Sequence, residues 1–577
     1  MPARFPQIVV GGAVAILATL AACKSDGMGP SSSDPISNPT GLLNVGDLLT
    51  LNVNGNDACT NANYHVTRVV AVGAKSIIFS DTLNPKNGFT TADFQRFAAR
   101  FDSLVYPLDV ANFGEPTDID KNGRIAIVFT RAVNELTSFR STSYVGGFAF
   151  SRDLFPADVA NSQAQACSGS NQGEYFYALA PDPTGSINGN VRTTAFVDSV
   201  TTSVLAHELQ HIINSSRRLY VNNAHVFEEH WLDEGLAHLA EELLFYREAG
   251  LAPLGNVDIN KLRSSTTIRL AFNSDMSGNS GRYRTYLAAP HLNSPYAADD
   301  SLGTRGAAWS LLRYSLDRAN ATDGFTAGDG QVVAGSGTVS VSAGSASSDF
   351  TAIVVNTGQV AGSSGSFTLK TSTLGGISTP FVAAAPAPSL VVQADVPAGL
   401  VRDEAFESRL RDRERAVLTP MMPSAQAWYA AHVLPEPSQL RAPSSLSSLA
   451  DADATLLFKL VNSTSKGLDN FSTVFGPDVA GLVRDWSVSH AVDDVASLTT
   501  QYQQRSWNWH SIYPNLTSPV GSYPLAVTNI GTNTSLSASA VAGGSVYYKF
   551  TVPANTSATV SLSLASPTTV MVVVKTR

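Results

Sequence analysis

Three cysteines in 577 residues, a charged fraction of only 15% and no apolar run long enough to span a bilayer set the first limits on this chain. The net charge is −9, so the basic footprint that nucleic-acid binding needs is missing and that role is excluded. The length is too great for one compact core and implies roughly three to five domains.

The first apolar stretch runs from Ile8 to Ala22, after one early arginine, and stops at Cys23. It is shorter than the roughly 20 residues a membrane-spanning helix needs and sits where a secretory signal sits. "LAAC" resembles a bacterial lipobox, which implies cleavage before Cys23 and diacylation of its sulfur. Residues 1–22 would be the signal peptide and 23–40, rich in Ser, Pro and Gly, a tether to a lipid bilayer. The expected location is the bacterial cell envelope, at the outer membrane or cell surface. With Cys23 lipidated, Cys59 and Cys167 remain as one candidate disulfide of an oxidising compartment, two unpaired thiols being the alternative.

Along the chain, 41–195 reads as an α+β part. "YHVTRVVAVG" and "SIIFSDTL" alternate as strands, and "RIAIVFT" is a buried strand. Between them Phe94, Phe97, Ala98, Phe101 and Leu104 share one helical face behind a Thr90/Asp93 capping box. Residues 196–320 read as helical. From 321 to 400 charge nearly vanishes and alternation returns, which predicts an inserted β-sandwich. Residues 401–451 read as a charged helix and a loose surface connection, 452–515 as helical again, and 520–577 as a separate C-terminal sandwich.

Two stretches carry chemistry. "PTDIDKNG" has Asp118, Asp120, Asn122 and Gly123 in the spacing of the first half of an EF-hand loop, which makes Ca2+ a candidate there. Phe129 stands where that loop needs its bidentate glutamate, and a polar turn explains the segment without a metal. The stronger signal is "HELQH". His207 and His211, four apart on a helix, can grip one Zn2+, and Glu208 between them can take a proton from water whose pKa the metal lowers. With 10 His and 14 Glu in the chain, random order would give about 0.004 such matches. Val204, Leu205, Leu209, Ile212 and Ile213 supply the helix with a face to bury.

A third ligand must come from elsewhere, and "EEHWLDEGLAHLAEEL" offers Glu228, Glu229, His230, Asp233, Glu234, His238 and Glu241. Leu232, Leu236, Leu239 and Leu243 form the apolar stripe of a second helix, while Glu234, His238 and Glu241 share a different face. Helical geometry does not choose among those three. His225 and His230 read as loop or helix-start residues.

The metzincin pattern fails, because Asn214 and Arg217 occupy the positions of its glycine and third histidine. "WLDEGLA" is similar to the "WLNEGFA" words of gluzincins, and with "HELQH" the chain resembles the hyicolysin family of secreted bacterial zinc metallopeptidases. "PTDIDKNGRIAIVFT" and "GAAWSLLRY" resemble it more loosely, over about 60–500 without the insertion. The resemblance implies an α+β zincin core with Glu234 as third zinc ligand. Gly235 would let the helix approach closely, and His238 and Glu241 would orient the ligating imidazoles. Glu208 would be the general base, and the substrate a protein or peptide. For the oxyanion, Tyr283, Tyr286, His291 and Tyr296 are candidates, and Arg305 stands where related enzymes often carry tyrosine. Two other roles stay open: a surface binding or adhesion protein with a non-catalytic zincin core, and a zinc hydrolase acting on non-peptide cell-wall bonds.

Overall fold

The computed structural model describes residues 43–158, 166–299, 301–320, 331–334, 336–374, 401–433, 449–493, 500–516, 523–564 and 570–576. The signal segment, Cys23 and the tether lie outside the described residues.

The first half is built on a mixed sheet. Strands β1 (Leu48–Asn52), β2 (Tyr64–Val72) and β3 (Ser76–Asp81) are antiparallel neighbours. Helix α1 (Thr91–Arg100) follows, opened by the expected Thr90/Asp93 capping box, then α2 (Tyr106–Phe113). This crossover returns the chain to β4 (Ile125–Thr130), parallel to β3. A two-residue strand β5 (Ser143–Tyr144) precedes β6 (Gly147–Ala149) and β7 (Tyr175–Leu179). The sheet order is β1-β2-β3-β4-β7-β6, with β6 on the edge. β4 is buried on both faces, as its unbroken apolar text requires.

On one face Phe97, Phe101, Ile127, Phe129 and Phe176 pack with Leu205, Leu209 and Ile213 of α3 (Thr194–Ser216). Against α3 lies α4 (His230–Ala249), which ends where Gly250 takes a left-handed φ of 64°. The leucine stripe of α4 is buried, and so is its polar face. α5 (Ser277–Ala288) and α6 (Leu302–Asn320) cover α4 from the far side.

The β-rich segments depart from expectation. Strands β8 (Gln331–Ala334), β9 (Gly337–Ser342), β10 (Ser348–Asn356) and β11 (Ser364–Leu374) come from the inserted text. After β12 (Val401–Arg402), the strands β13 (Val527–Asn529), β14 (Ser535–Val541), β15 (Ser545–Val552), β16 (Ser557–Leu564) and β17 (Val570–Thr576) come from the C-terminal text. The two sheets read β13-β15-β10-β17-β8 and β14-β11-β16-β9. Each inserted strand pairs only with C-terminal strands, so one sandwich forms where two were expected. Its core mixes Val339, Phe350, Val354 and Phe367 with Phe550, Val552, Val560 and Leu562. It joins the helical body through Tyr547, whose hydroxyl donates to the Ser487 carbonyl of α9 at 2.7 Å.

Residues 401–433 also differ from the expected charged helix and loose connection. β12 pairs in parallel with β5, and α7 (Glu404–Arg413) sets Phe406 and Leu410 into the core under the second sheet face. The described part of 452–515 is helical, as expected, and includes α8 (Gly467–Phe475) and α9 (Val479–Val492).

Cys59 and Cys167 are bonded, with Cα atoms 4.8 Å apart and a sequence separation of 108. Closing a loop of that size removes about 4.7 kcal/mol of chain entropy from the unfolded state. The double variant Cys59→Ala/Cys167→Ala is expected to lose about 3–5 kcal/mol in urea unfolding.

Candidate metal centre

Thr193 starts α3 by accepting the N–H of Phe196, and the helix then runs unbroken through the histidine pair. Burial of its apolar residues turns His207 and His211 towards α4, where their Nε2 atoms lie 3.2 Å apart. Glu234 of α4 brings Oε2 to 3.4 Å from His207 Nε2 and 3.7 Å from His211 Nε2. Donors held tetrahedrally at typical zinc bond lengths are about 3.3 Å apart, so this triangle is the size of one zinc coordination sphere. Glu234 is wholly buried and neither of its oxygens accepts a well-directed hydrogen bond, although Arg305 Nη1 lies 2.8 Å from Oε2. A buried carboxylate left this way suits a cation. Its position depends on Gly235, where a Cβ would stand 2.6 Å from Leu312 Cδ1 of α6.

Behind the triangle each imidazole meets a carboxylate. His207 Nδ1 is 2.9 Å from Glu241 Oε1, and His211 Nδ1 is 3.1 Å from Asp233 Oδ2. No directed hydrogen bond forms at either Nδ1, but a carboxylate so close favours the tautomer that leaves Nε2 to ligate. Sorting by face set Asp233 aside. The signal that would have found it is chemical: each ligating histidine needs an acceptor for its second nitrogen. Asn214 Nδ2, at the failed metzincin glycine position, donates to Asp233 Oδ1 at 2.5 Å.

His207, His238 and Glu241 form a second group with metal-binding potential. His207 Nδ1 and Glu241 Oε1 stand 2.9 Å apart, closer than two ligands on one zinc, so the triangle at the Nε2 atoms fits one ion better. Glu241 is held further by His238 Nδ1 and Arg282 Nη1, each at 3.4 Å.

Glu208 stands beside the triangle. Its Oε2 accepts the N–H of Ala149 at 2.8 Å, at the end of edge strand β6, and its Oε1 faces Arg402 Nη2 at 3.2 Å. Sequence reading missed the arginines from 401–413. Arg402 also contacts Glu241 at 3.4 Å and Glu407 at 2.7 Å. Arg411 donates to the Ala149 carbonyl at 3.1 Å and lies 3.9 Å from Glu208, Asp233 and Glu234. Arg305 lies at the centre, with Nη1 between Glu234 and Glu407 Oε2, the latter at 2.6 Å.

The other candidates make their described contacts elsewhere. Tyr283 bonds Gln504, Tyr286 stacks on Trp486, the Tyr296 hydroxyl donates to the Gly358 carbonyl, and the His291 carbonyl accepts from Val541. Glu228 pairs with Arg218 at 3.1 Å, Glu229 with Lys466 at 3.3 Å and His230 with Asp412 at 3.1 Å, while His225 is exposed. Asp118 and Asp120 do lie together. Asn122 does not join them as a donor, since its Nδ2 donates to Asp120 and its Oδ1 accepts from Arg124; the third carboxylate there is Glu174.

The electrostatics of the centre ask for positive charge. Burial and Arg411 work against protonation of His211, but Asp233 and Glu234 outweigh them and push it up to about 10. Burial would raise the Glu234 carboxyl, yet Arg305 and His211 hold it well below the usual range. Among the described side chains of this network, Glu208, Asp233, Glu234, Glu241, Glu407 and Glu414 meet Arg282, Arg305, Arg402 and Arg411. Six acids face four arginines, an excess of two that one divalent cation between neutral histidines would balance.

Two histidines and a glutamate around one point, with a further glutamate alongside, are the donor set of catalytic zinc centres. Over 158 residues, 27% of this chain, the sequence is 30% identical to the neutral metalloprotease ShpI of Staphylococcus hyicus, and it covers 32% of that protein. The chain thus spans about a third of the length of the relative it matches. No family model matches the sequence.

Proposed function

We propose that this chain is a zinc-dependent endopeptidase with a zincin core, exported and anchored to the cell envelope through Cys23. The observation that carries this is the triangle of His207 Nε2, His211 Nε2 and Glu234 Oε2, with sides of 3.2 to 3.7 Å and Glu208 beside it. The similarity to a neutral metalloprotease supports it, and "LAAC" supports the anchoring.

Zinc, when bound by these three residues, supplies the Lewis acidity that makes water nucleophilic at neutral pH. Asp233 and Glu241 hold the two imidazoles in ligating orientation. Glu208 accepts the proton of the attacking water and hands it to the leaving amine. Edge strand β6 lies beside Glu208, and an extended peptide can pair with it once Glu208 and Arg411 release the Ala149 backbone groups they now hold. A peptide reaching Glu208 has to displace Arg402, so turnover includes movement of 401–413. Arg305 serves here by holding Glu234 and Glu407 in place.

The test is metal analysis of residues 24 onward, paired with casein cleavage before and after chelation. About one zinc per chain, with activity lost to chelator and restored by zinc, is the expected result. Zinc near zero after purification in metal-replete buffer would sink the site. A second reading, a surface binding protein with an idle metal core, draws on one observation: Glu208 is 1% exposed and paired with Arg402. Full zinc content without cleavage of any of a panel of proteins would favour it.

A further inference from the structure

A second cluster of acids stands outside the zinc triangle, where the loop 117–123 meets the start of β7. One carboxylate oxygen from each of Asp118, Asp120 and Glu174 lies within 4.8 Å of the other two. Glu174 is 2% exposed. Its Oε1 accepts from the Thr117 hydroxyl and the Ile119 N–H, both at 3.1 Å, but its Oε2 is buried without a hydrogen-bond partner. Asp120 accepts from Asn122 and also meets the Asp118 carboxyl, while Asp118 accepts from the Gly123 N–H. The nearby cations are turned to carbonyls: Lys121 to His432, Arg124 to Gly73 and Asn122. No described arginine or lysine forms an ion pair with the three acids.

Three converging carboxylates with no ion-pair partner among the described arginines and lysines, one of them buried with an unpartnered oxygen, form a spot of negative potential that something must neutralise. Protons are one answer. Burial, with the charge of Asp118 added, pushes Asp120 up to about 7, and burial with the charges of Asp120 and Asp118 pushes Glu174 well above the usual range. A hard cation is the other. The donors are all oxygen, which disfavours zinc, and two oxygens on one calcium can be up to about 5 Å apart, a span that admits three carboxylate oxygens all within 4.8 Å of one another.

We propose that Asp118, Asp120 and Glu174 bind one calcium ion. The ion fastens the loop before β4 to the first residue ahead of β7, two strands already paired through the Ala126 N–H and the Glu174 carbonyl. The same loop reaches the end of α3 through Thr117 N–H and Ser216 Oγ, so fastening it steadies the helix that carries both histidines.

The full chain, stripped of metal and reloaded with stoichiometric zinc, is melted with and without CaCl2. The parent is expected to gain about 5 °C at saturating calcium. Glu174→Gln and Asp120→Asn should gain nothing while holding the same zinc. Without calcium, Glu174→Gln should melt at or above the parent, since an amide replaces an acid that lacks a counter-charge; this shows that the variant folds. An equal gain in parent and variants, no gain in the parent, or the same gain from MgCl2 at equal concentration overturns the proposal.

Discussion

Glu208→Gln is expected to hold zinc at the parent's stoichiometry while casein cleavage falls by about a thousandfold or more. Glu208 supplies no atom to the triangle, and neither His207 nor His211 depends on it for orientation. The amide keeps the shape of the side chain and can still accept the Ala149 N–H. What it loses is basicity, and proton transfer by a positioned carboxylate contributes about 10²–10⁴ in rate. The opposite edge, where Arg402 now meets a carboxylate oxygen, would face an N–H₂ group instead, so the guanidinium loses one partner and keeps Glu407 and Glu241. Circular dichroism should be unchanged. A variant that cleaves casein at the parent's rate would remove Glu208 from the mechanism.

The second large effect separates the two acids that the sequence alone leaves level. Glu234→Gln should weaken zinc binding by about a thousandfold, since it takes a charged ligand from the triangle. Glu241→Gln should weaken it by about 10–100-fold, the usual consequence of disturbing a hydrogen bond behind a ligand. In the first variant Arg305 retains Glu407, so the fold survives. Competition against a chromophoric chelator gives both constants. If the ranking is reversed, the ion sits with His207, His238 and Glu241 instead.

How far the sequence could be read depended on how local the determinant was. His207, Glu208 and His211 stand on a five-residue spacing that any helix turns into geometry. Glu234 needed a word-level likeness, because three acids and histidines share its face and nothing periodic ranks them. Asp233 escaped because one residue along a helix rotates a side chain by about 100°, away from Glu234's face and onto His211. Arg402 and Arg411 escaped for another reason. In "VRDEAFESRLRDRERAVL" charge normally signals a solvated surface, and only the excess of acid around the histidines explains its burial. Glu174 lies 56 residues from Asp118, beyond any loop motif.

The sandwich marks the same boundary. Alternation predicts strands in 321–400 and 520–577, but pairing partners are non-local. That they interleave has a consequence in time. β8 to β11 have no neighbours within their own segment, and β17, near the last residue, fills an inner place between β10 and β8. During synthesis those early strands must wait, with apolar edges uncovered, until about 150 later residues have emerged and the whole α7-to-α9 region lies between them. A chain lacking β17 would leave β8 without its partner and one edge of β10 open to capture by other chains.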